Sequence, residues 1–174
     1  WRDLAKENGL PGIYFIGQTT MGDLEIDQIL DFGFDSVNTV RLRDISLPLL
    51  NKLYRGVLRF FQLPYIFSYK NVYKYFTTES ELNEKVIPTI IPNWDHTPRT
   101  GNRGLVLHNC DPSYFRKHVR NALECVKKKD TKVVFIKSWN EWGEGNYMEP
   151  DAKYGYGYLE AFKSELDNFT KNFK

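Results

Sequence analysis

Glu141 and Glu144 lie three residues apart in a run that also holds Trp139, Asn140 and Trp142, with Glu149 shortly after. Two carboxyl groups flanking one anomeric carbon can supply the acid and base for breaking or forming a glycosidic bond. Indole faces stack on the C–H face of a sugar ring, and an asparagine amide both donates to and accepts from hydroxyls. If the segment makes one helical turn, the three-residue spacing puts both glutamates on one side. The residue types therefore point to a carbohydrate site with Glu141 and Glu144 as its reacting groups. The plainer reading is that both glutamates cap or solvate a loop. The two flanking indoles and the position after a strand favour chemistry.

That strand is residues 133–136, where Val133, Val134, Phe135 and Ile136 form the apolar, β-branched run expected of a buried parallel strand. In parallel α/β sheets and barrels, ligands bind beyond the carboxyl ends of the strands. The third strand along the chain is expected over 86–91, with Pro88 awkward in it unless it sits at a bulge. Trp94, Asp95, His96 and Arg99 follow it on the same side as the glutamates. Trp94 and Asp95 are candidate substrate contacts, as are Asn140, Trp142 and Glu149. The donor fork of Arg99 suits a sugar hydroxyl, a phosphate or one of the catalytic carboxylates. The alternatives are a salt bridge from Arg99 to Asp95 and a plain loop role for His96.

The rest of the chain reads as alternating strands and helices. A helix over 1–8 stops at Gly9, and the turn at Pro11–Gly12 leads into a strand over 13–16. A short amphipathic helix spans 21–32, and a second strand spans 34–40 with Asn38, Arg41 and Arg43 near its end. Residues 47–61 hold a helical period in Leu49, Leu50, Leu53, Val57, Leu58 and Phe61, as a covering helix would. The aromatics of 65–76 read as packing rather than as a cleft wall. Asp111–Pro112 caps a helix whose inner face is Phe115, Val119, Ala122, Leu123 and Val126, and Lys127 to Lys129 close it in favour of the helix dipole. A last helix spans 158–169 with Leu159, Phe162, Leu166 and Phe169 inward. About four parallel strands alternating with helices give an α/β fold with right-handed crossovers. A (β/α)8 barrel needs about 250 residues, so 174 residues make roughly the second half of a TIM-like barrel. The expected organisation is one half-barrel domain over 1–174, a fragment of a longer catalytic domain. Its outer strands would leave apolar edges for a missing N-terminal half or a partner chain to cover.

Two motifs carry a family resemblance. The first is Trp139 to Gly145 with Met148–Glu149–Pro150–Asp151 and Tyr154 to Ala161; the second is Pro92 to Arg99, containing Trp94–Asp95 and Thr97–Pro98–Arg99. Together they resemble the WbsX-type glycosyltransferases, which are related to the endo-α-mannosidases of glycoside hydrolase family 99. The resemblance runs from about Trp1 to about Glu165 and implies the C-terminal half of a barrel domain. It implies that Glu141 acts as a base on the sugar 2-hydroxyl and Glu144 as acid/base at the glycosidic oxygen. The chain departs at Gly143, where the hydrolases carry histidine. An acid at Glu144 must hold a proton near neutral pH, which burial or the like charge of Glu141 would favour. The implied role is assembly or processing of polysaccharide, such as lipopolysaccharide O-antigen. A non-catalytic sugar-binding half-domain is the alternative.

Composition narrows the classes further. A formal charge of +2 is too small to indicate a nucleic-acid partner, and no apolar run approaches the roughly 20 residues of a membrane-spanning helix. Cys110 and Cys125 stand fifteen residues apart without a Cys-x-x-Cys pair, which reads as free thiols in a reducing, cytoplasmic setting. No metal-ligand spacing, glycine-rich phosphate loop or Asp-x-Asp pair is present, so no cofactor or metal is expected.

Overall fold

The computed structural model describes residues 1–20, 24–42, 45 and 49–171. In chain order the first elements are α1 (Arg2–Glu7), β1 (Ile16–Thr20), α2 (Ile26–Asp31), β2 (Ser36–Val40), α3 (Leu49–Phe60), β3 (Tyr65–Ser68) and α4 (Tyr69–Val72). They are followed by β4 (Val86–Ile90), β5 (Trp94–Asp95), α5 (Thr97–Thr100), β6 (Leu105–His108), α6 (Pro112–Val126), β7 (Phe135–Ile136), β8 (Asn140–Glu141), β9 (Asn146–Tyr147) and α7 (Gly157–Lys171).

The architecture is α/β, with a four-stranded parallel sheet in the order β1-β2-β4-β7. Every residue of β2 and β4 is buried, as expected of central strands covered on both faces. Pro88 is tolerated in β4 without a bulge. It is the last β4 residue in register with β2, and Thr89 is the first in register with β7. Its missing donor therefore falls where one ladder gives way to the other.

Several expectations need correction. The first strand is Ile16–Thr20 rather than 13–16, because pairing with β2 outweighs local propensity. Phe15 is instead held by its backbone N–H donating to Asp35 Oδ2 at 2.7 Å. The last strand is not buried: β7 has two residues at the sheet's edge, and Phe135 is 40% exposed. A second sheet, β3-β6-β5, was not legible; β6 runs parallel to β3 and antiparallel to β5. The first part of the 21–32 helix and Arg43 lie outside the described residues. Asn38 is buried and donates to Ile87 O and Thr89 Oγ1, while Arg41 pairs with buried Glu81 at 2.5 Å, so neither is a solvated loop group.

The core joins the sheet to α6, α7 and the aromatic segment. Tyr69 and Phe76 are fully buried there, so packing is the role of that cluster. The inner face of α6 is as expected with His118 added, and Lys129 is buried with Nζ donating to Val86 O. On α7 the buried positions are Tyr158, Ala161 and Glu165, and Leu166 is exposed. Glu165 earns its burial by a two-pronged pairing with Arg120 of α6 at 2.9 Å. On α3 only Leu58 is buried among its described side chains, whereas Leu53, Val57 and the following Phe61 are exposed, so α3 does not cover the sheet as its period implies. Among the described residues no helix is long and apolar enough to cross a membrane.

Candidate active site

The site begins with how β4 ends. Ile91 lies beyond the sheet, and side chains hold its peptide groups in place of a ladder. Its N–H donates to His118 Nε2 at 3.1 Å, and its carbonyl accepts from the Tyr69 hydroxyl at 2.7 Å. Next, Asn93 ties this strand end to the glutamate loop. Its carbonyl accepts from Asn146 Nδ2 at 2.6 Å, and its Oδ1 accepts from the Tyr147 N–H at 2.8 Å. Asn146 Nδ2 also donates to Lys137 O at 2.8 Å, just after β7. Two asparagines thus lock the exits of β4 and β7 together.

Between β8 and β9 the chain makes a single 3₁₀ turn, Trp142–Glu144, ended by Gly145 in the left-handed region at φ 50°. The Met148 N–H closes the base of this hairpin on Trp139 O at 2.8 Å, with the Met148 side chain in the core. Gly145 is needed twice over: a Cβ there would be strained and would stand 3.2 Å from Asp95 Cβ. Gly145→Ala is therefore expected to cost about 1–2 kcal/mol of stability, read by urea denaturation. An unchanged midpoint would show that the turn has another route.

Within this frame Glu141 and Glu144 converge on one cation. Arg99 Nη2 is 3.4 Å from Glu141 Oε1, and Arg99 Nε is 3.0 Å from Glu144 Oε1. His96 Nε2 also faces Glu144 Oε1, at 3.4 Å. Arg99 thus approaches the carboxylates, one of its anticipated roles, and makes no pair with Asp95. A guanidinium stands against both carboxylates, beside the like charge that each presents to the other. Glu144 is 8% exposed, whereas Glu141 is part-exposed. Both neighbours of Glu144 address Oε1, and Oε2 has no hydrogen-bond partner among the described residues. A Cβ on Gly143 would stand 3.3 Å from Glu141 Oε1, so any side chain there would press on that carboxylate.

The remaining expected contacts differ in exposure. Trp142 is 48% exposed and stacks on Tyr147 at a centroid distance of 3.7 Å. Its Nε1 donates to Glu149 Oε2 at 2.6 Å, so Glu149 orients the indole. The Tyr147 hydroxyl bonds Asp151 at 3.2 Å; burial first, and then that carboxylate, hold the phenol above its ordinary range. Asn140 is exposed on β8, opposite Tyr147. Trp94 is buried and lies 5.8 Å from the His96 ring, as a wall rather than an open platform. Asp95 Oδ1 accepts from both the N–H and the hydroxyl of Thr97, a local turn that leads into the short α5 carrying Arg99. Asn146, Tyr147 and His118 are site residues that the sequence reading does not single out, and Asn93 and His96 lie in the Pro92 to Arg99 motif without an assigned role. Among the described residues no three His, Cys, Asp or Glu side chains gather as a metal site.

Comparison with known proteins agrees with these motifs. The sequence model of the family described as Glycosyltransferase WbsX matches residues 1–162. The chain is 25% identical over 169 residues to "Uncharacterized protein WxcX" of Xanthomonas campestris pv. campestris strain B100, covering 95% of this chain and 24% of that protein. A protein of the same name from a second strain of that pathovar is 33% identical over 82 residues, covering 45% of this chain and 12% of the relative. The chain thus spans 24% of the first relative's length, and no solved structure matches. With the family's model running through both motifs and most of the chain, this protein belongs to the WbsX glycosyltransferase family.

Proposed function

We propose that this chain carries the glycosidic-bond chemistry of a carbohydrate-active enzyme, with Glu141 and Glu144 as the reacting carboxylates. The single observation that carries the reading is one guanidinium, Arg99, reaching both carboxylates beyond the ends of β4 and β7. Glu144 Oε2 is the atom that would give a proton to the glycosidic oxygen and take it back. Glu141, more open to solvent, would act on the sugar 2-hydroxyl. Arg99 holds the two acids at a fixed separation, and the exposed face of Trp142, stiffened by Tyr147 and Glu149, stacks on a pyranose. The wider role proposed is assembly or processing of a polysaccharide such as lipopolysaccharide O-antigen, in the cytoplasm. The fold reading that accompanies it is the second half of a (β/α)8 barrel, residues 1–174 forming part of a longer catalytic domain. Supporting this are the parallel four-stranded sheet, its outer strands β1 and β7, and a site at the strand ends.

A binding half-domain without activity is the second reading, favoured by the half-exposed Trp142 and by Arg99 occupying both carboxylates. Turnover and glycan affinity, measured together, separate the two. For an enzyme, Glu141→Gln lowers kcat roughly a hundredfold with affinity little changed. Trp142→Ala mainly raises KM, with a loss of about 1 kcal/mol in binding. Glycan binding that depends on Trp142, with no turnover sensitive to either glutamate, would establish the binding module instead.

A further inference from the structure

Beside the carboxylate pair lies a cavity of about 300 Å³, within the range of small-ligand sites. Trp94, Phe67 and Tyr65 form its aromatic walls, and His96, the residue facing Glu144, separates it from the reacting groups. Arg55 and Arg103 also line it, and among the described residues the lining holds no Asp or Glu. The Arg55 guanidinium lies over the Tyr65 ring at 4.8 Å, a contact that uses the face of the guanidinium and not its N–H edge. Neither arginine has a carboxylate partner among the described residues. A neighbouring cavity shares Tyr65 and Arg103 and adds Arg59, so the positive character continues outward.

We infer that this cavity is the subsite for a sugar residue adjoining the reacting bond, and that this residue carries an anionic substituent, a carboxylate or a phosphate. The assignment rests on the glycosidic reading of Glu141 and Glu144. Charge separation supports it. Glu141, Glu144 and Glu149 outnumber Arg99 at the reacting end and disfavour an anion there, while the far end offers two guanidinium groups with no carboxylate partner among the described residues. The aromatic walls suit the C–H faces of a pyranose, and the arginine forks suit the planar or tetrahedral oxygens of its substituent. Among the described residues, an uncharged glycan would leave both guanidinium groups without a counter-charge.

Binding to the protein is measured by NMR titration or calorimetry with methyl α-D-glucuronide, methyl α-D-glucoside and α-D-glucose 1-phosphate. At least one anionic probe is expected to bind about tenfold or more tightly than the neutral glycoside, with an advantage that shrinks as salt rises. Arg55→Ala and Arg103→Ala each remove most of that advantage, while Arg103→Lys retains part of it. Which anion benefits decides between a uronate and a phosphorylated residue. Equal affinity for charged and neutral probes, no binding of any probe, or a preference unmoved by both alanine variants overturns the assignment. Glu144→Gln keeps the charge preference and is tested separately for turnover. Loss of turnover without any charge preference would refute this subsite alone, whereas a charge preference beside undiminished turnover would refute the catalytic reading alone.

Discussion

Glu144→Gln is expected to lower turnover of a glycosidic substrate by about a hundred- to ten-thousandfold, the range for losing a positioned acid or base. The substitution isolates proton transfer because it keeps shape and polarity. The glutamine carbonyl keeps an oxygen beside Arg99 Nε, which lies 3.0 Å from Oε1, and Arg99 retains Glu141 at 3.4 Å. Stability should change by about 1 kcal/mol or less, since no cavity is made and no buried donor loses its partner. The deficit should also depend on the leaving group. An aryl glycoside whose phenol leaves easily needs little protonation, so the variant should recover much of its rate on that substrate. A uniform deficit on good and poor leaving groups would assign Glu144 to positioning, and undiminished turnover would remove it from the chemistry.

The second large effect is on stability at acid pH, and it comes from His118. Burial drives its imidazole from 6.5 down to about 3, with the Thr89 backbone opposing only in part. The cause is structural: Nε2 accepts the Ile91 N–H at 3.1 Å, and a proton there would set a donor against a donor in the core. Because the folded value lies below the unfolded one, the unfolded chain binds the extra proton between pH 6.5 and about 3. Stability is therefore full above 6.5 and falls by roughly 1.4 kcal/mol per pH unit as pH drops through that window. Glu81 adds to the loss at the lower end. Burial raises its pKa, but hydrogen bonds from Thr39 and Arg41 and the Arg41 charge bring the net value below 4.5, so its contribution is lost as pH falls further. Urea denaturation at several pH values reads the slope. In His118→Gln, whose amide oxygen can still accept the Ile91 N–H, the part of the slope between pH 6.5 and 4.5 should largely disappear. Equal slopes in both proteins would show that another group carries the acid sensitivity.

Both effects trace to features of different legibility. Glu141 and Glu144 stood out because two acids, two indoles and an asparagine in one short run combine chemical types that a solvated loop rarely needs. β4 was legible as a mostly apolar, β-branched run, whereas β2, Ser-Val-Asn-Thr-Val, was legible from its place after a glycine-stopped helix in a βα repeat. β1 was misplaced, because residues 16–20, Ile-Gly-Gln-Thr-Thr, extend only when β2 pairs with them. The run at 133–136 met the same limit from the other side. Its apolarity is real, but as the outer strand β7 it stays part-exposed. The period of α3 likewise specifies a helix without specifying what its apolar stripe faces.

The sequence by itself determined the alternation of strands and helices, the two motifs and the pair of acids, because each depends on residue types close together in the chain. The tertiary structure alone decided which groups meet. Arg99 and Glu141 are 42 positions apart, and Asn93 and Asn146 are 53 apart. Local periodicity carries no information about such pairs; they form when β4 and β7 lie in one sheet and release their chains on the same side. The same closure buried Trp94 beside His96 and made His118 the support for a strand end it does not adjoin in sequence.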